Sequence, residues 1–456
     1  MSKELVRGLK LVDGIAIVVG STLGTGVFLK TATMSTLVGN PWVVLLVWVV
    51  AGLLSLAGAL AYAELGSLMP KAGGEYVYLR EGYGDIWAFL YGWMRFWIGS
   101  PGSVAAYAVG AMTFLSGAVD LSFIGGKSIA AVIVISFFCF LNCFNIAFGG
   151  RLNAIMSGLK LFIILGLSLG VLFLTKEGSF DHFSERAPGF EVFTGWAAFG
   201  SATLAALWAY DGWNNLPMVG GEIQNPKRNI PLSLIIGMAL ILGIYLLTNT
   251  AYFYGLSFSE VLTSNSDVYP NALPVGSKAA ITFLGESGIA ILSGAFVFSA
   301  LGAMNGSIMT GSRVPYAMAK DGLFFKQLAK LNNTTHVPIR AIIVQSSVSM
   351  LLALSGTFDE LTNYVVFASW IFYAMVTSVV FVLRKKQPNA VRSYKALGYP
   401  LVPAIFIILA ILLLINTIIT SPKASSIGLA FILSGIPFYY LFKRMNKSGN
   451  SGPLNM

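Results

Sequence analysis

Apolar residues dominate the chain from Leu11 into the mid-thirties, and similar runs recur to the C-terminal region, separated by short polar connections. About 20 consecutive apolar residues cross the hydrocarbon core of a bilayer. Read by that length, the pattern predicts twelve membrane helices, over 11–36, 42–66, 84–118, 126–149, 151–175, 193–219, 231–256, 285–318, 339–356, 359–384, 399–421 and 425–443. Two connections are longer, 176–192 and 257–284. The second contains "SNSDVYPNALPVGSK", polar with two prolines, and is expected to carry a short lid over the membrane core. No Ser- or Gly-rich linker divides the chain. The expectation is one transmembrane domain over 1–456, with a flexible tail at 444–456.

Two of the predicted helices are interrupted. The first contains "GSTLGTGVF" (20–28), and the sixth reads "FGSATLAALWAYDGWNNLPMVGG" (199–221), with Asp211, Gly212, Asn214, Asn215 and Pro217 inside an apolar span. Glycine weakens a helix interior by roughly 1 kcal/mol relative to alanine, and in lipid every backbone group it frees must find another partner. Helices 1 and 6 are the first members of two successive groups of five, and an odd offset reverses membrane orientation. Paired breaks at corresponding positions point to a transporter built from inverted repeats. The expected repeats are 11–175 (helices 1–5) and 193–384 (helices 6–10), followed by helices 11 and 12 over 399–443. A break frees N–H groups that suit a carboxylate and carbonyls that suit an ammonium or metal ion. An α-amino acid carries both charges, and glycines at 20, 24 and 26 let the backbone approach it closely.

Composition agrees with burial in lipid. The chain is 56% hydrophobic and 11% charged, whereas soluble domains carry about 25% charged residues. "MSKELVRGLK" leads into an apolar stretch too long for a signal core, so the first helix is expected to stay in the protein. The formal charge of +10 is topological: with both ends cytoplasmic, 21 of the 29 Lys and Arg lie on the inner side and six on the outer, leaving Arg95 and Lys160 within segments. Nucleic acid is therefore not an expected partner; membrane lipid is. Cys139 and Cys143 read as small buried hydrophobes. His182 and His336 both lie in predicted loops, and no metal-ligand or triad spacing occurs, so neither an enzyme nor a metal or cofactor site is expected. A channel would line a pore with repeated filter or charge-ring elements; it and a substrate-sensing receptor are the alternatives from other functional classes.

Four stretches carry a family resemblance: "GSTLGTGVF" (20–28), "AYAELGSLMPKAGGEYVYL" (61–79), "LWAYDGWNNLPMVGGEIQNPKRNIP" (207–231) and "GAMNGSIMTGSRVPYAMAKDG" (302–322). In this order they resemble the amino acid–polyamine–organocation superfamily, and within it the L-type amino acid transporter family, in a bacterial-type member. The resemblance implies an all-α membrane fold with a five-plus-five inverted repeat and two additional helices. It implies a substrate site at Ser21, Thr22, Gly24, Thr25, Gly26, Trp208, Ala209 and Asp211. The carboxylate is expected at the N–H groups of Thr25 and Gly26, and the amino group at the carbonyls of Thr22, Trp208 and Asp211. Trp208 stands where the family more often has Phe, as an aromatic gate. Asp211 stands where many members have glycine, either touching substrate or capping the interrupted helix.

Lys160, in "NAIMSGLKLFIILG", lies nine residues beyond Arg151, about 13 Å deeper along a helix. An ammonium at that depth either snorkels or has partners and a function. The resemblance places it beside Gly20 and Ser299, where sodium-coupled relatives of the fold hold a cation. A tethered charge favours sodium-independent exchange of neutral L-amino acids; a lysine that releases its proton would give proton-coupled symport instead. Arg95 is read as structural, stacked by aromatic residues or snorkelling to the inner face. Glu64 is expected to shape the inner gate, Glu222 and Arg228 to pair as a latch, and Asn305 and Ser307 to make polar contacts between helices. Pro231 is placed at the start of helix 7, and Trp370 and Tyr373 either line the site or pack. The loop "VDLSFIGGK" (119–127) has no cysteine, so the disulfide-linked glycoprotein that accompanies some animal members is not expected. The expected location is the cell membrane, as a multi-pass protein.

Overall fold

The computed structural model describes residues 5–24, 26–116, 119–187, 195–266, 268–269, 272–355, 358–420 and 422–449, with side chains omitted at 358–366, 424 and 446–449. Helices form nearly all of it; among the described residues the only β pairings are two isolated bridges. In chain order the α-helices are α1 (Leu11–Thr22), α2 (Gly26–Val38), α3 (Pro41–Leu68), α4 (Glu75–Tyr83), α5 (Asp85–Met94), α6 (Ser100–Leu115), α7 (Lys127–Asn142), α8 (Ile146–Leu174), α9 (Trp196–Ala209) and α10 (Asn215–Met218). There follow α11 (Pro226–Gly255), α12 (Phe258–Leu262), α13 (Val275–Leu284), α14 (Ser287–Gly311), α15 (Arg313–Lys320), α16 (Ile339–Ser355), α17 (Phe358–Lys386), α18 (Leu401–Thr420) and α19 (Pro422–Gly449). Among the described residues eight helical stretches are long and apolar enough to cross a membrane, and the pair α1 and α2, bent by 42°, makes a ninth. The shorter apolar helices α7, α9 and α16 coincide with three further predicted segments.

Local chemistry explains several helix limits. Asn40 caps α3 by accepting from the N–H groups of Trp42 and Val43 at 2.9 and 3.3 Å, with Pro41 in the first turn. Asn145 caps α8 by accepting from Phe148 N–H at 2.9 Å. That cap moves the boundary between the fourth and fifth segments back from the predicted 149–151 to 143–145. The glycine pair instead serves close packing inside α8: a Cβ on Gly150 would meet Leu9 at 2.6 Å. Likewise α11 starts at Pro226, after Asn225 in the left-handed conformation (φ 44°), so Pro231 lies inside the helix rather than at its start. The carbonyl it leaves without a helical partner belongs to exposed Lys227. The segment predicted as 84–118 contains a π-helical turn at Arg95–Gly99, just before Pro101, which cannot donate into the helix ladder. The segment predicted as 285–318 is divided at Ser312 between α14 and α15.

The 257–284 connection holds α12 and α13, both packed on neighbouring helices, with α12 against α2 and α13 against α2, α8 and α14. The centre of the bundle is formed where α1 packs on α8, α11 and α14, and α2 on α9. By contrast α18 exposes Leu401, Ile405, Ile408, Leu412 and Ile419, as a lipid-facing helix does. At the end of the bundle where α1 begins, the segment after α10 is pinned on two sides. Leu9 N–H donates to Glu222 O (3.0 Å), Gln224 N–H to Leu9 O (2.8 Å) and Gly73 N–H to Met218 O (2.8 Å).

Candidate functional site

Where a helix stops inside a bundle, its last carbonyls and the next helix's first N–H groups lose their ladder partners. Both interruptions predicted from sequence exist. The first falls between Thr22 and Gly26, the second over Tyr210–Asn214 between α9 and α10. They meet in space. A Cβ on Gly26 would lie 2.5 Å from Ala209 Cβ and 2.7 Å from Ala209 Cα; one on Gly212 would lie 2.7 Å from the Ser21 carbonyl oxygen. Gly212 also has φ +114°, a conformation that favours glycine. Thr25 lies outside the described residues.

One face of α8 presents a file of donors to carbonyls along α1 and at the break that follows it. Asn153 Nδ2 and Ser157 Oγ donate to Ala16 O at 3.1 and 3.0 Å. Lys160 Nζ donates to Gly20 O at 2.7 Å and Leu23 O at 3.0 Å. The spacing 153, 157, 160 is that of one helical stripe. Lys160 is 1% exposed, so it does not snorkel. From α14, Ser299 Oγ donates to Leu23 O at 3.2 Å, with Gly24 O at 3.5 Å. The predicted grouping of Gly20, Lys160 and Ser299 is thus present as geometry. Sequence reading missed Gly302, whose Cβ would lie 2.7 Å from Lys160 Cε; its signal was a small residue three positions after Ser299 on the same helix. It also missed Tyr245 on α11, whose hydroxyl contacts Ala209 O at 2.6 Å and Thr22 O at 3.1 Å. A tyrosine in an apolar run gave no sign of that role.

At the second break, Asp211 N–H donates to Trp208 O at 3.2 Å, which closes a turn at the end of α9. The Asp211 carboxylate is half-buried and accepts from the Tyr373 hydroxyl of α17 at 2.6 Å. Trp208 faces Tyr107 of α6 with ring centroids 6.5 Å apart, and Tyr107 lies next to Gly24. Tyr373 therefore reaches the site, whereas Trp370 stacks on Phe406 of α18 and packs. Two of the three carbonyls expected to hold an amino group have internal contacts: Thr22 O with Tyr245 and Trp208 O with Asp211 N–H. Ser21, Gly24, Gly26 and Ala209 line the junction of the two breaks.

Buried polar networks brace the site. Glu75, 0% exposed at the start of α4, accepts from Tyr62 (2.7 Å), from Asn214 Nδ2 (3.3 Å) and from the Tyr91 hydroxyl. Arg95 neither snorkels nor only stacks: buried in the π-helical turn, it donates to Asn215 Oδ1 at 2.7 Å. Asn142 donates to Asn305 Oδ1 at 2.8 Å, joining α7 to α14, and Gln345 donates to the Ser307 carbonyl at 3.3 Å. Glu64 accepts two bonds from Arg384 (3.0 and 2.7 Å) and one from Ala396 N–H (2.7 Å), with Arg392 Nε 3.2 Å away.

The expected Glu222–Arg228 latch is not formed. Arg228 is exposed, and Glu222 pairs with Arg313, which donates Nε and Nη2 to its two oxygens at 2.9 Å each. Arg313 sits where α14 gives way to α15, so the turn brings it to Glu222, while Arg228 points outward on α11. Removing one partner of such a fully buried pair strands a charge and costs about 3–5 kcal/mol. Arg313→Met is expected to lower the melting temperature of the purified protein by several degrees, with part restored in the Arg313→Met/Glu222→Gln double variant. Unchanged melting of the single variant would show that the pair does not hold this end of the bundle closed.

Comparison with known proteins extends this picture. Residues 9–442 match the sequence profile described as "Amino acid permease". The chain is similar to the Serine/threonine exchanger SteT of Bacillus subtilis (strain 168), 30% identical over 431 residues that cover 93% of this chain and 94% of that protein. It is similar to the human b(0,+)-type amino acid transporter 1, 31% identical over 451 residues, covering 97% and 89%. The human cystine/glutamate transporter is 31% identical over 452 residues, covering 96% and 86%.

Proposed function

We propose that this chain, which belongs to the amino acid permease family, exchanges neutral L-amino acids across the cell membrane by alternating access, without sodium. Family membership makes it an amino acid transporter of the membrane and not an enzyme. The finer reading rests on one observation above all: the buried Lys160 ammonium on the Gly20 and Leu23 carbonyls, beside Ser299. A tethered cation satisfies these carbonyls and carries no energy from an ion gradient, so one amino acid moving outward is the natural counterpart of another moving inward. The bacterial relative is a serine/threonine exchanger, which fits neutral substrates.

In this reading the substrate carboxylate meets the N–H groups at the start of α2, Gly26 among them, with Thr25 expected to join them, and the ammonium meets the Thr22 carbonyl. Ser21, Gly24 and Ala209 form the walls, and Trp208 with Tyr107 closes over the ligand. Asp211, held by Tyr373, ends α9 and positions the break. The twelve predicted segments form two inverted repeats, 11–175 and 193–384, with 399–443 added and both termini cytoplasmic. No disulfide-linked partner is needed. The test is uptake of labelled neutral amino acids into proteoliposomes, empty or preloaded, without sodium and with or without an inward proton gradient. Exchange predicts saturable uptake that requires preloading and ignores the proton gradient. Uptake into empty vesicles driven by protons would overturn exchange in favour of proton-coupled symport.

A further inference from the structure

Asn214 and Asn215 are adjacent where the second break passes into α10, and opposite charges hold them. Asn214 Nδ2 donates toward the Glu75 carboxylate of α4 at 3.3 and 3.5 Å. Arg95 Nη2, in the π-helical turn, donates to Asn215 Oδ1 at 2.7 Å. An ionised carboxylate only accepts and a guanidinium only donates, so the partners fix which end of each amide points where. Both charges are buried, yet among the described residues they form no direct ion pair with each other. Asn214 Oδ1 and Arg95 Nε are buried without a partner, so the arrangement is not saturated. The same elements close one end of the bundle. Gly73 N–H donates to Met218 O at 2.8 Å, and a Cβ on Gly74 would lie 2.7 Å from the Pro217 carbonyl carbon.

We propose that Glu75 and Arg95 are positioning residues that form a releasable lock on the second break. Gripping adjacent amides with opposite charges, they keep α10 against α4 and the π-helical turn until that end of the site opens. Alternating access requires α10 to part from both. A hydrogen bond between an amide and a charge is weaker than a buried ion pair such as Glu222–Arg313, so it can be released in every cycle. This inference rests on the alternating access proposed above. The arrangement also makes two nearly isosteric substitutions act in opposite directions. Asn214→Asp sets a second carboxylate against Glu75, whereas Asn215→Asp gives Arg95 a counter-charge.

Deuterium uptake by the purified full chain, read at peptides containing Gly73, reports opening of this end, and amino acid exchange in proteoliposomes reports turnover. Asn214→Asp is expected to speed that deuterium uptake about tenfold, and adding Glu75→Gln to return it to within about threefold of wild type. Asn215→Asp is expected to slow the uptake about tenfold, and to lower kcat about tenfold with KM within about twofold. Adding Arg95→Met to Asn215→Asp is expected to remove the slowing. Uptake that moves in the same direction in both variants, or in neither, would overturn the lock and leave the asparagines as turn residues. If Asn214→Asp does not fold, Asn215→Asp decides alone, and a rate that rises or stays unchanged overturns the lock. Slowed uptake with unchanged kcat would overturn it too, because the contact would then stand outside the cycle. Absence of saturable amino acid flux in the wild type would instead overturn the functional reading, since the deuterium shifts are read without substrate.

Discussion

Lys160→Met is expected to reduce amino acid flux at least about a hundredfold while the protein still inserts and folds. Methionine has similar length and no charge, so the packing beside Gly302 is largely kept and the donor is lost. Two carbonyls, Gly20 O and Leu23 O, then lose the ammonium, and Leu23 O keeps only Ser299. A buried polar group without a partner costs on the order of 1–3 kcal/mol, and a hundredfold loss corresponds to about 2.7 kcal/mol. The loss falls where the first helix is interrupted, so the break is free to close into regular helix or to admit water. Flux per folded molecule, with melting temperature as the control for folding, checks this. Flux within about threefold of wild type would remove Lys160 from the mechanism. Lys160→Arg is expected to fail as well, because a larger planar group does not fit the space kept by Gly302.

Gly212→Ala has an effect of similar size through shape alone. A Cβ there would lie 2.7 Å from the Ser21 oxygen and 2.8 Å from its carbonyl carbon, backbone atoms that cannot turn aside. The residue's φ of +114° adds strain for any side chain, of order 1–3 kcal/mol. The two breaks must separate to relieve the overlap, and a displacement of about 1 Å at a binding site can lower rates about a hundredfold. The expected result is flux near background together with a lower melting temperature. Gly200→Ala on α9 is the matched control, since a Cβ there meets nothing within 4 Å, and it should transport normally. Equal activity of the two variants would show that the breaks are not held by this contact.

Most of this architecture can be read from the chain because lipid makes the rules simple. Every long apolar run has to be a helix, so the predicted segments and the observed helices agree closely at α3, α17 and α18. Glycine and polar residues inside such a run must interrupt it, so interruptions within 20–28 and 199–221 are expected from the sequence, and the structure has them after Thr22 and over Tyr210–Asn214. A lone charge in mid-helix must have a partner, which drew attention to Lys160. Boundaries were less legible where capping and packing compete for the same residues: the Gly149–Gly150 pair has the look of a turn, yet Asn145 makes the cap and the glycines admit Leu9.

Pairing across the bundle lay beyond the sequence. Glu222 has Arg228 six residues away and Arg313 ninety-one away, and only the turn at Ser312 decides for the distant one. Tyr245 sits in an apolar run where a tyrosine carries no marking pattern, and Gly302 is marked only by its spacing from Ser299; both acquire meaning from the carbonyls and the ammonium that other helices bring to them. The sequence by itself determined which segments are helical, where two of them must break, and which buried charge needs partners, because hydrophobic burial and backbone satisfaction act locally along the chain. The tertiary structure decided which carbonyl faces which donor, because a hydrogen bond depends on tenths of an ångström between helices that no periodicity records.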